Sequence, residues 1–379
     1  MWSNDDRVVY AVWEISANGP DPVDPVESPW AGRSCRVYVD PMPYSTSKQS
    51  MKHQAETNEE SPVVTTVTGD VPADALGLTL PHEHVIHRLS IHSGKADNIC
   101  VDRDLMVEEL NRFREAGGQA VCDVTPIDAD RNPLGLREVS ERSGVRIVSG
   151  IGLYQVETWP EHLRTCSRRQ LADFLIHEAS GGDSGIAAGL LGEIGSHNED
   201  HADWKRYRLG EKEVTLFQAV ADVQRQTGLC VYTHASAGRA GVAQLRTIVE
   251  AGGDPRRVVI GHCDARVHAD LGLDMDYYHT LLEGGAWLGF DLFGWDVLAS
   301  DEARITRVVR LVRDGFADRV LLSTDTCRRS QLHRFGGRGF DFLITSVLPK
   351  LLEAGVGRRE IHRMTVVNPA RILSRRAGV

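Results

Sequence analysis

The ten residues "GLTLPHEHVI" (77–86) run apolar and extended until they meet two histidines, His82 and His84, separated by Glu83. Side chains on a strand alternate faces, so residues two apart point the same way. Both imidazoles therefore project from one side of a strand end, and Glu83 points away. Alone the pair is ambiguous: two metal ligands, or two polar residues where a strand meets solvent. The rest of the chain bears on both this question and the fold.

From about residue 76, short apolar runs alternate with longer amphipathic ones. The strand-like runs are "GLTLPHEH", "QAVCDVTP" (119–126), "RIVSGIGLY" (146–154), "AGLLGEIGS" (188–196), "GLCVYTHAS" (228–236), "RVVIGHCDA" (257–265), "AWLGFDLFG" (286–294) and "RVLLSTDT" (319–326). Between them lie helical patterns such as "DRDLMVEELNRFREAGG" (102–118) and "EKEVTLFQAVADVQRQTG" (211–228), several ending in glycine, a usual helix stop. Near-continuous apolar strands, each followed by a helix, mean parallel strands buried on both faces. Eight such units predict a (β/α)8 TIM barrel over residues 61–379. An open doubly wound sheet is the alternative, weakened because no GxGxxG turn follows the first strand.

Residues 1–60 differ. Prolines crowd the first fifty, and "YSTSKQSMKHQAETNEES" (44–61) is polar without a period. The expectation is a poorly ordered extension, with Met51 as an alternative start of the native chain. A formal net charge of −10 argues against nucleic acid or an anionic membrane as a partner. No run approaches a membrane span. The opening "MWSNDDRVVYAVW" lacks the pattern of a secretory signal, and seven scattered cysteines without a CxxC fit reduced thiols. A cytoplasmic protein is expected, with Cys122, Cys230 and Cys263 as buried structural thiols.

In a (β/α)8 barrel, active-site groups stand at the C-terminal ends of the strands. There the sequence puts His82 and His84 (strand one), Glu193 (four), His234 (five), His262 (six) and Asp325 (eight). A single histidine in such a place is more often a packed or solvated residue, and Asp325 alone would serve as a helix cap. Six metal-competent groups at one end of five strands are hard to assign to coincidence. Four imidazoles and two carboxylates suit Zn²⁺, with Mn²⁺ or Co²⁺ as alternatives. Six donors exceed what one tetrahedral ion takes, and a bridging carboxylate would let them serve two. His53, His162, His177, His197, His201, His268, His279 and His362 lie in polar or helical contexts and are expected in solvent.

The order His-x-His, Glu, His, His, Asp on eight βα units resembles the phosphotriesterase family of the amidohydrolase superfamily. "GLTLPHEHV", "GEIG", "THASAG", "VIGHCD", "LLSTD", "RFGGRGFDFL" and "VVNPARIL" resemble its phosphotriesterase-related members over about residues 65–375. The resemblance implies a binuclear centre, with His82, His84 and Asp325 on the more buried ion and His234 and His262 on the other. The bridging carboxylated lysine of the phosphotriesterases proper is matched here by Glu193, which casts doubt on organophosphate hydrolysis as the main activity. A homodimer is compatible with the family habit.

Function is then expected as hydrolysis of a carboxylic ester or lactone by metal-bridging hydroxide, with Asp325 accepting and returning the proton. The alternatives are an amidohydrolase acting on N-acyl amino-acid-like amides, minor phosphotriesterase activity, or an inert metal-containing binding protein. For the small-molecule substrate, the loop "TCRRSQLHRFGGRG" places Arg328, Arg329, His333, Arg334 and Arg338 near the mouth. Arg328 and Arg329 would hold an anionic group, unless these cations pair with acidic neighbours. Tyr154, Phe293 and Trp295 are candidate cavity walls.

Overall fold

The computed structural model describes residues 62–89, 94–197, 203–235, 239–265 and 271–375. The expected extension over residues 1–60, and the alternative start at Met51, lie outside them.

Eight parallel strands form one sheet in chain order: β1 (Thr79–Glu83), β2 (Ala120–Asp123), β3 (Arg146–Ile151), β4 (Leu190–Ser196), β5 (Val231–Ala235), β6 (Val258–Ile260), β7 (Trp287–Phe290) and β8 (Val320–Leu322). Beyond the ladder, the loop after β8 bonds back to β1. Asp325 N–H donates to His82 O (3.3 Å) and His84 N–H to Thr326 O (3.2 Å). The barrel closes there, so the fold is a (β/α)8 barrel and not an open sheet.

Helices α1 (Arg103–Glu115), α2 (Pro133–Ser143), α3 (Arg168–Ala179), α4 (Glu211–Thr227), α5 (Gly241–Glu250), α6 (Leu271–Glu283) and α7 (Asp301–Arg313) follow the first seven strands. Their ends are written in the sequence. Asp102 and Ser300 accept from Leu105 N–H and Ala303 N–H to cap α1 and α7. Gly228 stops α4 at φ +68. After β8 the chain turns through 3₁₀ and π-helical turns into the short helix α8 (Leu348–Glu353).

Two apolar layers follow from strand alternation. Ala120, Cys122, Val148, Cys230, Tyr232, Val259, Trp287 and Leu321 fill the barrel interior. Their neighbours Val121, Ile147, Val231, Val258, Ile260, Leu288, Val320 and Leu322 face the helices. The interior is thus packed, and chemistry is confined to its ends. Cys122, Cys230 and Cys263 are buried free thiols, as their apolar runs predicted.

Alternation also decides which residues reach the mouth. On β5 the inward series Cys230 and Tyr232 continues to His234, and on β8 Leu321 continues through Ser323 to Asp325. On β1 and β4 unbroken alternation would fail. Leu80 and Leu191 pack with the outer layer, so a regular strand would turn His82 and Glu193, two residues on, outward as well. Both strands are irregular at that point. The register of β4 shifts against β5 between Leu191 and Ile194, and that of β1 against β2 between Leu80 and Glu83. Such irregularities re-aim side chains next to active sites.

Candidate metal centre and active site

The six sequence candidates come together at the C-terminal end of the barrel. His82, His84, Glu193, His234, His262 and Asp325 are each at most 7% exposed. His82 Nε2 lies 3.5 Å from Glu193 Oε2 and 3.8 Å from Asp325 Oδ1. His84 Nε2 lies 3.6 Å from Glu193 Oε1 and 3.4 Å from Asp325 Oδ1. His234 Nδ1 is 2.8 Å from both Glu193 Oε2 and His262 Nε2. Three groupings have donor atoms close enough to share an ion: His82–His84–Glu193, His82–His262–Asp325 and Glu193–His234–His262. Glu193 appears in two of them, as a bridging carboxylate requires. The second grouping joins His262 to His82 and Asp325, so the division of ligands between two ions is less sharp than the resemblance implied.

The donor set fits divalent cations. His82 Nε2 and Asp325 Oδ1 are buried without a hydrogen-bond partner among the described residues. Buried polar atoms are normally paired, and a cation would satisfy these. The electrostatics agree. Burial alone would lower the pKa values of His82 and His262, but the Asp291 carboxylate, with Asp325 beside it, raises both above the usual imidazole range. Burial is likewise outweighed at His84, which Asp325 and Glu193 raise. Against the burial cost at Glu193, His234, His82 and His84 hold the carboxyl well below its normal range. Of the four imidazoles, only at His234 does burial win, lowering the pKa. The cluster demands positive charge.

Two of the candidates depend on unusual backbone. His262 (φ +54) and Asp325 (φ +46) adopt the left-handed conformation that side-chain-bearing residues rarely occupy. Such conformations persist where the surroundings enforce them, commonly at active sites.

Asp291, just beyond β7, is the main residue the sequence reading missed. Its Oδ1 accepts from His262 N–H (2.9 Å) and faces His262 Nδ1 at 2.7 Å. Its Oδ2 accepts from Tyr232 O–H (2.8 Å) and lies 3.2 Å from His82 Nδ1. A carboxylate on Nδ1 leaves Nε2 as the lone-pair donor and fixes the ring. Burial would raise the Asp291 pKa, but His262 and His82 hold it well below the usual range. Its signal was present, since Asp291 follows the apolar run "AWLGF" at the same barrel end. Asp264 supports it from behind, accepting from Asp291 N–H (3.3 Å) and Leu292 N–H (3.1 Å) while paired with the buried Arg304 (3.0 Å). Thr125 Oγ1 similarly meets His84 Nδ1 at 3.0 Å. His87 was also overlooked. Burial, then repulsion from His84, pulls its pKa down to about 3, so it stays neutral beside the centre.

One expectation from the sequence needs extending and another correcting. Glu83 does leave the histidine face, yet it is fully buried and binds the loop after β8. His197, expected in solvent, is only partly exposed. Its ring centroid lies 4.6 Å from that of Tyr154, edge to face, and 5.6 Å from that of His234. His162, His177 and His362 are exposed as expected, His279 is partly buried 3.5 Å from Asp314, and His53, His201 and His268 lie outside the described residues.

A cavity of about 340 Å³ opens beside the cluster. His84, Glu193, His234, His262 and Asp325 form its floor, and Leu89, Tyr154, Leu292, Trp295, Val297 and Arg328 its walls. Trp295 is tied to Asp325, its Nε1–H reaching the Thr324 and Asp325 carbonyls at 3.0 and 3.2 Å. The Arg328 guanidinium stacks 4.4 Å above Trp295, and its buried Nε has no hydrogen-bond partner among the described residues. The other cations of the basic loop turn elsewhere. Arg338 pairs with Asp296 at 2.6 Å and His333 with Asp341 at 2.6 Å, while the exposed Arg329 stacks on Phe335 and does not line the cavity. Phe293 is buried in the main core and lines a separate cavity of about 280 Å³.

Known proteins resemble this chain over most of its length. The Phosphotriesterase family profile matches residues 62–373. The phosphotriesterase homology protein of Escherichia coli (strain K12) is 32% identical over 299 residues, covering 78% of this chain and 98% of that protein. N-acetyltaurine hydrolase from Homo sapiens is 30% identical, covering 82% and 97%. Among solved structures, a mutant PTE-like lactonase from Deinococcus radiodurans superposes with TM-score 0.69 at 30% identity, covering 82% of this chain and 99% of its own. A lactonase from Listeria monocytogenes shares the fold with TM-score 0.74 at 24% identity, covering 82% and 98%. The chain belongs to the phosphotriesterase family and is a metal-dependent hydrolase.

Proposed function

We propose that the chain is a binuclear zinc-dependent hydrolase that cleaves a carboxylic ester, lactone or related bond. The observation that carries this is the buried convergence of four imidazoles with Glu193 and Asp325, where His82 Nε2 and Asp325 Oδ1 have no hydrogen-bond partner among the described residues. His82, His84, Glu193, His234, His262 and Asp325 would hold the ions. Zn²⁺ suits the donors, and Mn²⁺ or Co²⁺ are the alternatives. Bound there, two divalent ions supply a water acidic enough to attack near neutral pH and a Lewis acid for the substrate carbonyl. Asp325 accepts the proton of the attacking water and returns it to the leaving alkoxide. Asp291 fixes the rings of His82 and His262 during this transfer. Tyr154, Leu292 and Trp295 shield the reacting carbonyl from bulk water.

A second reading has its own support. Arg328 is the cation of the basic loop that lines the cavity, and no acidic side chain among the described residues pairs with it. An anionic tail on the substrate would suit it. Relatives named N-acetyltaurine hydrolase act on an amide with such a tail. The second reading is therefore an amidohydrolase for N-acyl compounds bearing a sulfonate or carboxylate. A cytoplasmic location and a homodimeric state complete the proposal; no described helix is long and apolar enough to cross a membrane.

The test is a panel of lactones, neutral esters, and N-acyl amides with and without a terminal sulfonate or carboxylate, run on metal-loaded enzyme. Turnover of lactones or neutral esters, unchanged in Arg328→Ala, supports the first reading. Turnover of anionic amides that falls about 10-fold or more in kcat/KM with Arg328→Ala, the worth of a charged hydrogen bond, supports the second. Metal binding without any turnover would leave an inert binding protein and refute both.

A further inference from the structure

Glu83 stands between two candidate metal ligands, and its side chain joins the two ends of the barrel seam. Its Oε1 accepts from Ser323 O–H (2.7 Å), Thr324 N–H (2.9 Å) and Thr324 O–H (2.8 Å). Its Oε2 accepts from Thr326 N–H (2.7 Å). The donors flank Asp325 on both sides, and Asp325 is the residue held at φ +46. Among the described residues, no regular ladder joins β8 to β1. The seam instead rests on main-chain bonds of His82 and His84 to this loop, and on Glu83. A carboxylate suits the position because two backbone N–H groups point at it and need acceptors. Rotation of the loop would cost both amides their partner in a water-free site.

We infer that Glu83 is a positioning residue: it clasps the Ser323–Thr326 loop so that Asp325 faces His82 and His84 at metal-binding distance. The inference rests on the proposed ligand role of these three residues. Glu83 itself touches neither metal nor substrate. Its effect comes through the left-handed backbone of Asp325, a conformation the residue would not keep unaided.

The test uses the full-length, zinc-loaded enzyme. Glu83→Gln keeps shape and burial but presents an NH₂ group where an acceptor is needed. Zinc loss to a chelator is followed spectroscopically, alongside melting temperature, kcat and KM. The expected result is a folded variant whose zinc affinity and kcat each fall about 10–100-fold, the usual effect of losing a residue that orients a ligand. KM should change little, because the cavity walls are untouched. Should Glu83→Gln fail to fold, Thr324→Val removes one donor and is expected to speed zinc loss in the same direction by a smaller factor. A lower melting temperature with unchanged zinc retention and kcat would make Glu83 a scaffold residue and overturn the inference. So would wild-type retention in Thr324→Val when Glu83→Gln is unfolded. Wild-type enzyme that holds no zinc would remove the metal reading and this inference together, whereas failure of Glu83 alone would leave the metal reading intact.

Discussion

At the scale of the residue, Asp325 carries the most consequence. It faces His82 and His84, bears a buried oxygen unpaired among the described residues, and is held by Trp295 and the His82 carbonyl while Glu83 grips Thr324 and Thr326 on either side of it. In its proposed role of ligand and proton acceptor, it should tolerate loss of charge in structure but not in rate. Asp325→Asn is expected to keep the melting profile and much of the metal while kcat falls at least about 100-fold. Steady-state kinetics beside metal analysis will check this, and near-wild-type turnover would remove the proton-transfer role. The sequence made Asp325 legible because it ends an apolar strand run. It hid Glu83 and Asp291, whose partners are up to 243 residues away in the chain or on another strand. Hydrogen bonding across a barrel seam leaves no local pattern to read.

At the scale of the element, β3 and β4 show how glycines set the site. Gly152 and Gly195 lie where the backbones of these strands nearly touch: a Cβ on Gly152 would collide with the Glu193 carbonyl, and one on Gly195 with the Tyr154 carbonyl. "SGIGLY" and "LLGEIGS" are therefore small for a reason beyond strand composition. Gly152→Ala should push β4 outward at Glu193, costing ~1–3 kcal/mol by overpacking and weakening metal retention. Thermal melts of loaded and metal-free protein will measure both. A variant with the wild-type melting temperature and metal content would contradict the close approach. Eight strands and most helices were legible from apolar periodicity and glycine stops. The irregularities at Leu80–Glu83 and Leu191–Ile194 were not, because they depend on pairing with a neighbouring strand. Simple alternation gave the right face for His84 relative to His82, but only the structure explains why that face is the inner one. The basic loop was legible as charge and not as geometry: of its cations, Arg328 alone lines the cavity, since Arg338 and His333 found acids and Arg329 an aromatic ring.

At the scale of the whole molecule, the barrel is a packed cylinder with an anionic, histidine-rich mouth. Glu193, Asp291 and Asp325 concentrate negative charge in a site shielded from water. Such a cluster is costly unless cations or protons compensate it. Metal should therefore add stability as well as chemistry, by binding the folded state alone. The most direct test is metal analysis of the purified protein joined to hydrolysis before and after chelation. About two equivalents of divalent metal per chain are expected, as two ions sharing one bridging carboxylate require. Hydrolysis should vanish when metal is stripped and return when zinc, manganese or cobalt is restored. A protein that carries no metal, or one that hydrolyses its substrate equally well after complete removal, would contradict the binuclear site.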